Sequence, residues 1–450
     1  MSSEPKTSAS LGRTAGVAVR AALIVLLCMA AVEAGLRVVP SVIPIHLLLQ
    51  FDAELRGAIA ARLGYPAERT TKYLQRDDGG PPLWLTMPGQ VVRHVVGRDE
   101  PEAVPSAVMD WNGFCNPPDR NRPDYQTDIV TIGDSFTWCL AVRPEDTWTS
   151  RMGDLTGRGT YNLSRPAIGP YEYVQLLRAF AIGKWPKIVI INIYEGNDLR
   201  DAHKFHRFRS NGSSRPTAAT GPRDDRRGVS SLGRLYFALL DGWGGRNSYA
   251  LSTLLTVTND LYLKASAAMT TAHQPRDPAV GDAAPPIDFR YRVDLGGRTG
   301  IVHFNPDNTD TDEVVYARLL QAGEVGVALF DAALDDIARL ARLHGLSAIL
   351  TYTPSAYTVY ATRVRFDDPS VAEDLKAFSD RQRHYFAERT EALGLGFVDT
   401  TAALQAAAAT DRLTHFPVSL HLTRYGHDVV ARAIVEKIFK EGALQSDSRR

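Results

Sequence analysis

Apolar positions follow three patterns along this chain, and each predicts a different element. The longest is an uninterrupted run, Ala21 to Val32, behind a polar leader that carries Lys6, Arg13 and Arg20 against Glu4. Counted from Ala15 to Leu36, with Arg20 reaching back to the headgroups, it is just long enough to cross a bilayer as a helix. Basic residues ahead of the run would keep the N-terminus cytoplasmic and export everything after residue 40. Two other readings stay open. Val32-Glu33-Ala34 offers small residues at the spacing of a signal-peptide cleavage site, and a run of this length also suits a buried core helix.

The second pattern is a set of short runs rich in β-branched residues: Ile129–Ile132, Ile188–Tyr194 and Ser347–Thr353. Runs of this kind suit strands covered on both faces. The third pattern is helical. Val327, Phe330, Leu334, Ile337 and Ala341 recur at spacings of 3 and 4 and stop at Gly345, while Leu55, Ile59 and Leu63 mark a shorter helix over Phe51–Leu63. Helical stretches near Asp146–Leu155, Tyr171–Ile182, Pro369–Leu393 and Arg424–Lys440 alternate with further strands near Thr160–Leu163 and Gly396–Val398. A helix is also expected directly after Ser135. This alternation predicts an α/β fold, a doubly wound parallel sheet whose strand ends form a ligand crevice along one edge.

Two stretches break the rhythm. Between residues 40 and 110 prolines and charges are scattered, which predicts a stalk and an extended lead-in without chemistry of its own. Residues 201–315 form an insertion: an aperiodic loop from Phe208 to Gly233, a helical stretch near Leu235–Ala265, a Pro-rich loop, and a hairpin of Phe289–Leu295 with Ile301–Phe304 through Gly296-Gly297. The expected organisation is 1–40 tail and membrane anchor, 41–110 stalk and lead-in, 111–200 with 316–442 main domain, and 201–315 insertion. The insertion leaves the main domain directly after Asn197-Asp198 and should emerge at the rim of the crevice, as a lid, a glycan-gripping surface or decoration.

Composition narrows the classes. The 450 residues are 44% hydrophobic, with 51 basic against 51 acidic side chains, enough for one large core and no argument for nucleic acid. Three cysteines (28, 115, 139) and scattered histidines make no metal-ligand set, no phosphate-binding glycine loop appears, and no cofactor is expected.

The chemistry gathers where the first strand meets Gly133-Asp134-Ser135. Such a turn lifts a serine off the sheet edge as a nucleophile, although Gly, Asp and Ser are also ordinary turn residues. Three later stretches follow in order: Tyr161 to Pro170, Glu195-Gly196-Asn197-Asp198 after an apolar run, and Ser419-Leu420-His421-Leu422-Thr423 before a terminal helix. Together the four resemble the conserved blocks of the SGNH (GDSL-type) hydrolases, serine esterases and acyl-transfer enzymes on a flavodoxin-like sheet. The resemblance covers roughly residues 110–200 and 318–440. It implies Ser135 as nucleophile, His421 as base, and an oxyanion hole made by the N–H groups of Ser135 and Ala167 with the Asn197 amide. The family usually has Gly where Ala167 stands, which an ordinary dihedral would allow. Asp134, Glu195 and Asp198 are expected at the pocket rim, Glu195 replacing a usual Gly; for Glu195 a solvated surface position is equally open.

One departure matters more. The family places an Asp two or three residues before its catalytic His, and here those positions hold Ser419 and Val418. A backbone carbonyl, Ser419 itself or a distant acid such as Asp399 could orient His421, with His415 and His427 as weaker candidates for the base. Without an acid, activity is expected to fall as pH drops through about 6.5, the ordinary histidine value. Bacterial members that join a membrane anchor to an SGNH domain include polysaccharide O-acetyl-modifying proteins. The expectation is therefore an esterase or O-acyltransferase, outside a bacterial inner membrane in the periplasm, acting on an ester of a glycan or lipid. Secretion after signal cleavage is the alternative location, and a non-catalytic glycan-binding or assembly protein the alternative function. Outside the apolar segment Cys115 and Cys139 are the only cysteines, and export would pair them as a disulfide; a free Cys115 with a buried Cys139 is the other possibility. A reporter fused after residue 60 should be exported and remain with membranes, and its recovery in the cytoplasm would refute this topology.

Overall fold

The computed structural model of this chain describes residues 8–43, 45–48, 51, 53–63, 73–74, 76–81, 83–86, 91–94, 103–104, 106–110, 112–121, 125–210, 239, 242–258, 288–296, 300–308, 310–366 and 369–440. The chain divides into two compact units, residues 1–72 with 216–280 and residues 73–215 with 281–450.

The larger unit is built on five parallel strands, β1 (Ile129–Ile132), β2 (Thr160–Asn162), β3 (Ile188–Tyr194), β4 (Ser347–Thr353) and β5 (Gly396–Asp399). Their spatial order is β5-β4-β3-β1-β2, the flavodoxin-like arrangement, whose switch point lies between β1 and β3. Every residue of β1 and β3 is buried, as continuous apolar runs between two helical layers require. The helices that matter for the site are α1 (Trp148–Thr156), α2 (Pro170–Leu176), α3 (Asp198–Ser210), α4 (Asp331–His344), α5 (Pro369–Leu393) and α6 (Arg424–Val435). Their ends follow local chemistry: Thr147 and Thr423 accept from Ser150 and Gly426 N–H to cap α1 and α6, and Gly345 (φ +63°) ends α4. The Trp148 N–H donates to His427 Nδ1 at 3.2 Å and joins the first turns of α1 and α6.

The strands and long helices fall where the pattern puts them, with one local difference at the nucleophile. No helix follows Ser135. The Asp134 carboxylate accepts the Phe136 N–H and its carbonyl accepts from Thr137 and Trp138, so the chain runs in turns and a single 3-10 turn, Pro144–Asp146, before α1. Beside these turns, Asn116 exchanges two hydrogen bonds with the backbone of Asn162 and so covers the free edge of β2. Asp110 fixes this loop by accepting from Asn112 N, Phe114 N, Asn116 and Tyr161. Cys115, on the same loop, is disulfide-bonded to Cys139 with Cα atoms 6.1 Å apart.

The lead-in is not all extended chain. Tyr73–Leu74 pairs with Leu83–Trp84 and Val91–Arg93 with Ser106–Val108, each antiparallel. The insertion is divided between the units. Its hairpin forms as expected, Tyr291–Asp294 against Ile301–Phe304, gains Val364–Arg365 as a third strand, and buries Phe289, Tyr291, Val293 and Phe304 in the main core. Helix Tyr249–Thr258 instead belongs to the N-terminal unit, where Tyr249 packs with Ile43, Leu48, Phe51, Leu55 and Ile59. Most of the expected loop Phe208–Gly233 and the Pro-rich loop lie outside the described residues.

In that unit one helix runs from Ser8 to Val38. Its stretch Val19–Val38 has a mean hydropathy of 2.1, is not buried, and is long and apolar enough to cross a membrane. A buried core helix is thereby excluded. Glu33 near its end accepts from the Ser248 hydroxyl and the Ala250 N–H.

With its ends 24 positions apart in sequence, the Cys115–Cys139 bridge should stabilise the fold by roughly 3 to 4 kcal/mol on the chain-entropy model. Denaturant unfolding of the full chain with and without reductant should show that difference; coincident curves would show that the bridge contributes nothing.

Candidate active site

The β1 strand delivers its chain to the carboxyl edge of the sheet. At Gly133 a Cβ would lie 2.2 Å from Thr137 Oγ1, so the turn closes only on glycine. Ser135 emerges partly exposed, and its backbone N–H has no partner among the described residues.

His421 arrives from the far end of the chain on a tight loop in which Phe416 N–H donates to the His421 carbonyl and Leu420 N–H to the Phe416 carbonyl. Leu420 takes a left-handed backbone (φ +60°), a conformation that costs a non-glycine residue about 1–2 kcal/mol. The loop sets the Ser419 carbonyl 2.6 Å from His421 Nδ1. A carbonyl only accepts, so Nδ1 carries the proton and Nε2 is left with its lone pair. Nε2 lies 2.8 Å from Ser135 Oγ and accepts its hydroxyl proton. The ring stacks on Phe136 (4.5 Å, 22°), which also stacks on Tyr194 (3.4 Å, 13°).

The backbone carbonyl therefore stands where the triad acid would. The Ser419 hydroxyl has no partner among the described residues, and Asp399 is held by Arg383 (2.6 Å) and the Thr401 N–H. His415 and His427 are not surface residues: both are buried, and burial pushes both down to about 3. His415 meets the Thr414 hydroxyl, and His427 lies in the first turn of α6.

The Arg165 N–H donates to the Gly133 carbonyl at 3.1 Å, which seats the loop carrying Ala167 against the nucleophile turn. Ala167 has φ +58°. Its dihedral is thus not the ordinary one, and it is the left-handed backbone here that a glycine would adopt freely. The Ala167 N–H, like that of Ser135, has no partner among the described residues. Asn197 follows β3, partly exposed, with its amide beside the Asp134 carboxylate.

The three carboxylates expected at the rim are all buried. Burial pushes Asp134 up to about 7, against the Phe136 N–H that favours its charge. Asp198 is raised by burial and by Asp134 while accepting from the Tyr173 hydroxyl (2.8 Å) and the Tyr194 N–H (3.0 Å). Glu195 is neither at the rim nor in solvent. It accepts hydroxyls from Tyr352 (2.8 Å), Ser379 (2.9 Å), Ser355 (3.3 Å) and Thr358, which satisfy a carboxylate whose pKa burial raises.

Phe136 and Arg165 went unassigned in the sequence. Phe136 adjoins the nucleophile but reads as one more apolar residue, and only the geometry shows it carrying the imidazole.

Burial pushes His421 down to about 4, against the Ser419 carbonyl that favours the imidazolium. A general base must be neutral, so if His421 serves as one, its lowered pKa preserves it to lower pH than the ordinary value of about 6.5 would. Hydrolysis of an aryl ester should keep a level kcat/KM down to about pH 5 and fall towards about 4. A fall near 6.5 would contradict this environment, and one near 7 that Asp134→Asn removes would trace to the Asp134 carboxyl.

No protein-family model matches this chain, and no curated protein matches it. Among solved structures it is similar to a lipolytic protein of the G-D-S-L family from Desulfitobacterium hafniense, at 13% identity and a TM-score of 0.33 over 68% of this chain and 99% of that one. It is also similar to an acetylxylan esterase from Geobacillus stearothermophilus (13%, TM-score 0.31, 69% and 93%) and a lipase/acylhydrolase from Enterococcus faecalis (14%, TM-score 0.31, 69% and 95%). By its own strand order the chain has a flavodoxin-like doubly wound sheet, with Ser135 just past the end of β1.

Proposed function

We propose that the protein cleaves or transfers an acyl ester with Ser135 as nucleophile and His421 as general base. The observation that carries this is the 2.8 Å contact between Ser135 Oγ and an Nε2 whose lone pair the Ser419 carbonyl has fixed. Ser135 Oγ attacks the ester carbonyl as its proton passes to Nε2. The C–O bond to the alcohol then breaks, the proton goes to the departing oxygen, and an acyl-serine remains. Water or a sugar hydroxyl, deprotonated in turn by His421, releases the acyl group. The partnerless N–H groups of Ser135 and Ala167, with the Asn197 amide, are the donors for the oxyanion; losing one such donor typically costs about a hundred- to a thousandfold in rate.

Four ordered sequence blocks and this geometry support membership of the SGNH hydrolases. The neighbours' printed activities, lipolytic, acetylxylan esterase and acylhydrolase, fit an O-acetyl ester of a cell-surface glycan or lipid. The exposed apolar helix supports an N-terminal membrane anchor, with a cleaved signal peptide as the other reading. The Cys115–Cys139 bridge fits an oxidising compartment such as the periplasm.

Ser135→Ala should lower aryl-acetate turnover by at least about a thousandfold and leave the thermal midpoint unchanged, because a partly exposed serine adds little stability. Equal turnover in variant and parent would remove Ser135 from the mechanism, and inert parent protein would favour the binding-protein reading. Adding an acceptor glycan separates transfer from hydrolysis.

A further inference from the structure

The chain satisfies its buried arginines with care. Arg76 is paired with Asp78 and Glu172, Arg200 with Asp201 and Asp312, and Arg120 with Asp154, Thr160 and the Ser150 carbonyl. Arg165 is the exception. Among the described residues its Nε and Nη1, sealed from solvent, have no hydrogen-bond partner, and burial without a neighbouring carboxylate pulls the guanidinium down to about 10. An uncompensated buried charge is among the most destabilising features a fold can carry, and it persists where a partner arrives from outside. Nη2 is not among the sealed atoms and the residue remains partly exposed, so an outside oxyanion can reach that end of the guanidinium. Its backbone sits on Gly133, two residues from Ser135.

A second observation on the same edge has the same sign. A cavity of about 610 Å³ lies between the end of the nucleophile turn at Val142 and the residues just after His421. Four arginines line it. Arg143, Arg151 and Arg424 share the one lining carboxylate Asp146, Arg151 also reaching Asp154 at 3.9 Å outside the cavity, while Arg412 stacks 3.9 Å over Tyr425; the other lining acid, Asp428, is engaged by Arg432. Positive charge therefore exceeds negative in a concave place that can enclose an oxyanion.

We propose that Arg165 receives an oxyanion carried by the substrate beside its ester and that the arginine cavity takes further charges of the same molecule, which is therefore an acidic glycan. Repeated positive positions along one edge fit a polymer of charged sugars better than a single lipid headgroup. The assignment deepens the ester-cleaving reading of Ser135 and His421 and rests on it.

The test uses the full chain in detergent with an acetylated oligogalacturonate and an acetylated xylooligosaccharide, acidic and neutral respectively. The parent should prefer the acidic ester in kcat/KM, and Arg165→Met should reduce that preference about ten- to a hundredfold, the worth of a hydrogen bond to a charged group. Arg165→Met should also keep or raise the thermal midpoint, because it removes an unpaired buried charge, and Arg165→Lys should retain part of the preference. A lowered midpoint with an unchanged preference would make Arg165 structural and overturn the proposal. If no ester turns over, the chemistry of Ser135 fails separately. Calorimetry with unacetylated oligogalacturonate then decides: binding lost in Arg165→Met upholds the charge recognition, and no binding by the parent ends it. Binding to phosphatidylglycerol vesicles but not to oligogalacturonate would overturn the glycan assignment.

Discussion

The hydrogen bond from His421 Nδ1–H to the Ser419 carbonyl is the interaction on which the site depends. An acid in a serine–histidine pair has two tasks: it fixes the tautomer and it stabilises the imidazolium that forms. The carbonyl performs the first completely, since it can only accept, and the second only through a dipole in place of a full charge. The left-handed turn at Leu420 belongs to the loop that brings this carbonyl onto the ring, so backbone strain at one residue substitutes for a side chain that the sequence lacks.

A second layer holds the side of the site that carries Asn197. Glu195, fully buried at the end of β3, gathers hydroxyls from β4, from the segment after it and from α5, while its carbonyl accepts from Gln382. Asn197 lies two residues further on. A carboxylate so enclosed ties the ends of two central strands to one helix and gives the loop carrying Asn197 a rigid base. Phe136 does the same for the imidazole from the other side of the crevice, wedged between Tyr194 and His421.

The fold was largely legible because its signals are periodic. The runs in β1, β3 and β4 match their strands, and the spacing of Leu334, Ile337 and Ala341 marks the buried face of α4. Pairings decided by single side chains were not legible. Nothing in Gly-Asp-Ser-Phe-Thr says that Asp134 will bend the chain into turns in place of a helix, and nothing in Glu195-Gly-Asn-Asp says that four hydroxyls from residues 352 to 379 wait to bury the glutamate. Motif spacing brought Ser135 and His421 forward as a pair, and the structure places them 2.8 Å apart, whereas which of a backbone carbonyl, Ser419 or Asp399 orients His421 was left open. A backbone carbonyl has no sequence signature, and its aim is set by a dihedral at Leu420.

The division of the insertion also has a practical meaning. Residues 1–72 and 216–280 form one unit, yet β1, β2 and β3 are encoded between its two parts, and β4 and β5 come only after both. As the polypeptide emerges, the cluster around Ile43, Phe51 and Ile59 waits for Tyr249, and the half-made sheet waits in turn for residues 347–399. Neither unit can finish before much of the other has been synthesised. A fragment that begins after residue 72 to avoid the apolar helix would still carry Tyr249–Thr258 and would leave it without the helices that bury Tyr249. Solubilising the whole chain, or removing both parts of the N-terminal unit together, respects the way the molecule is divided.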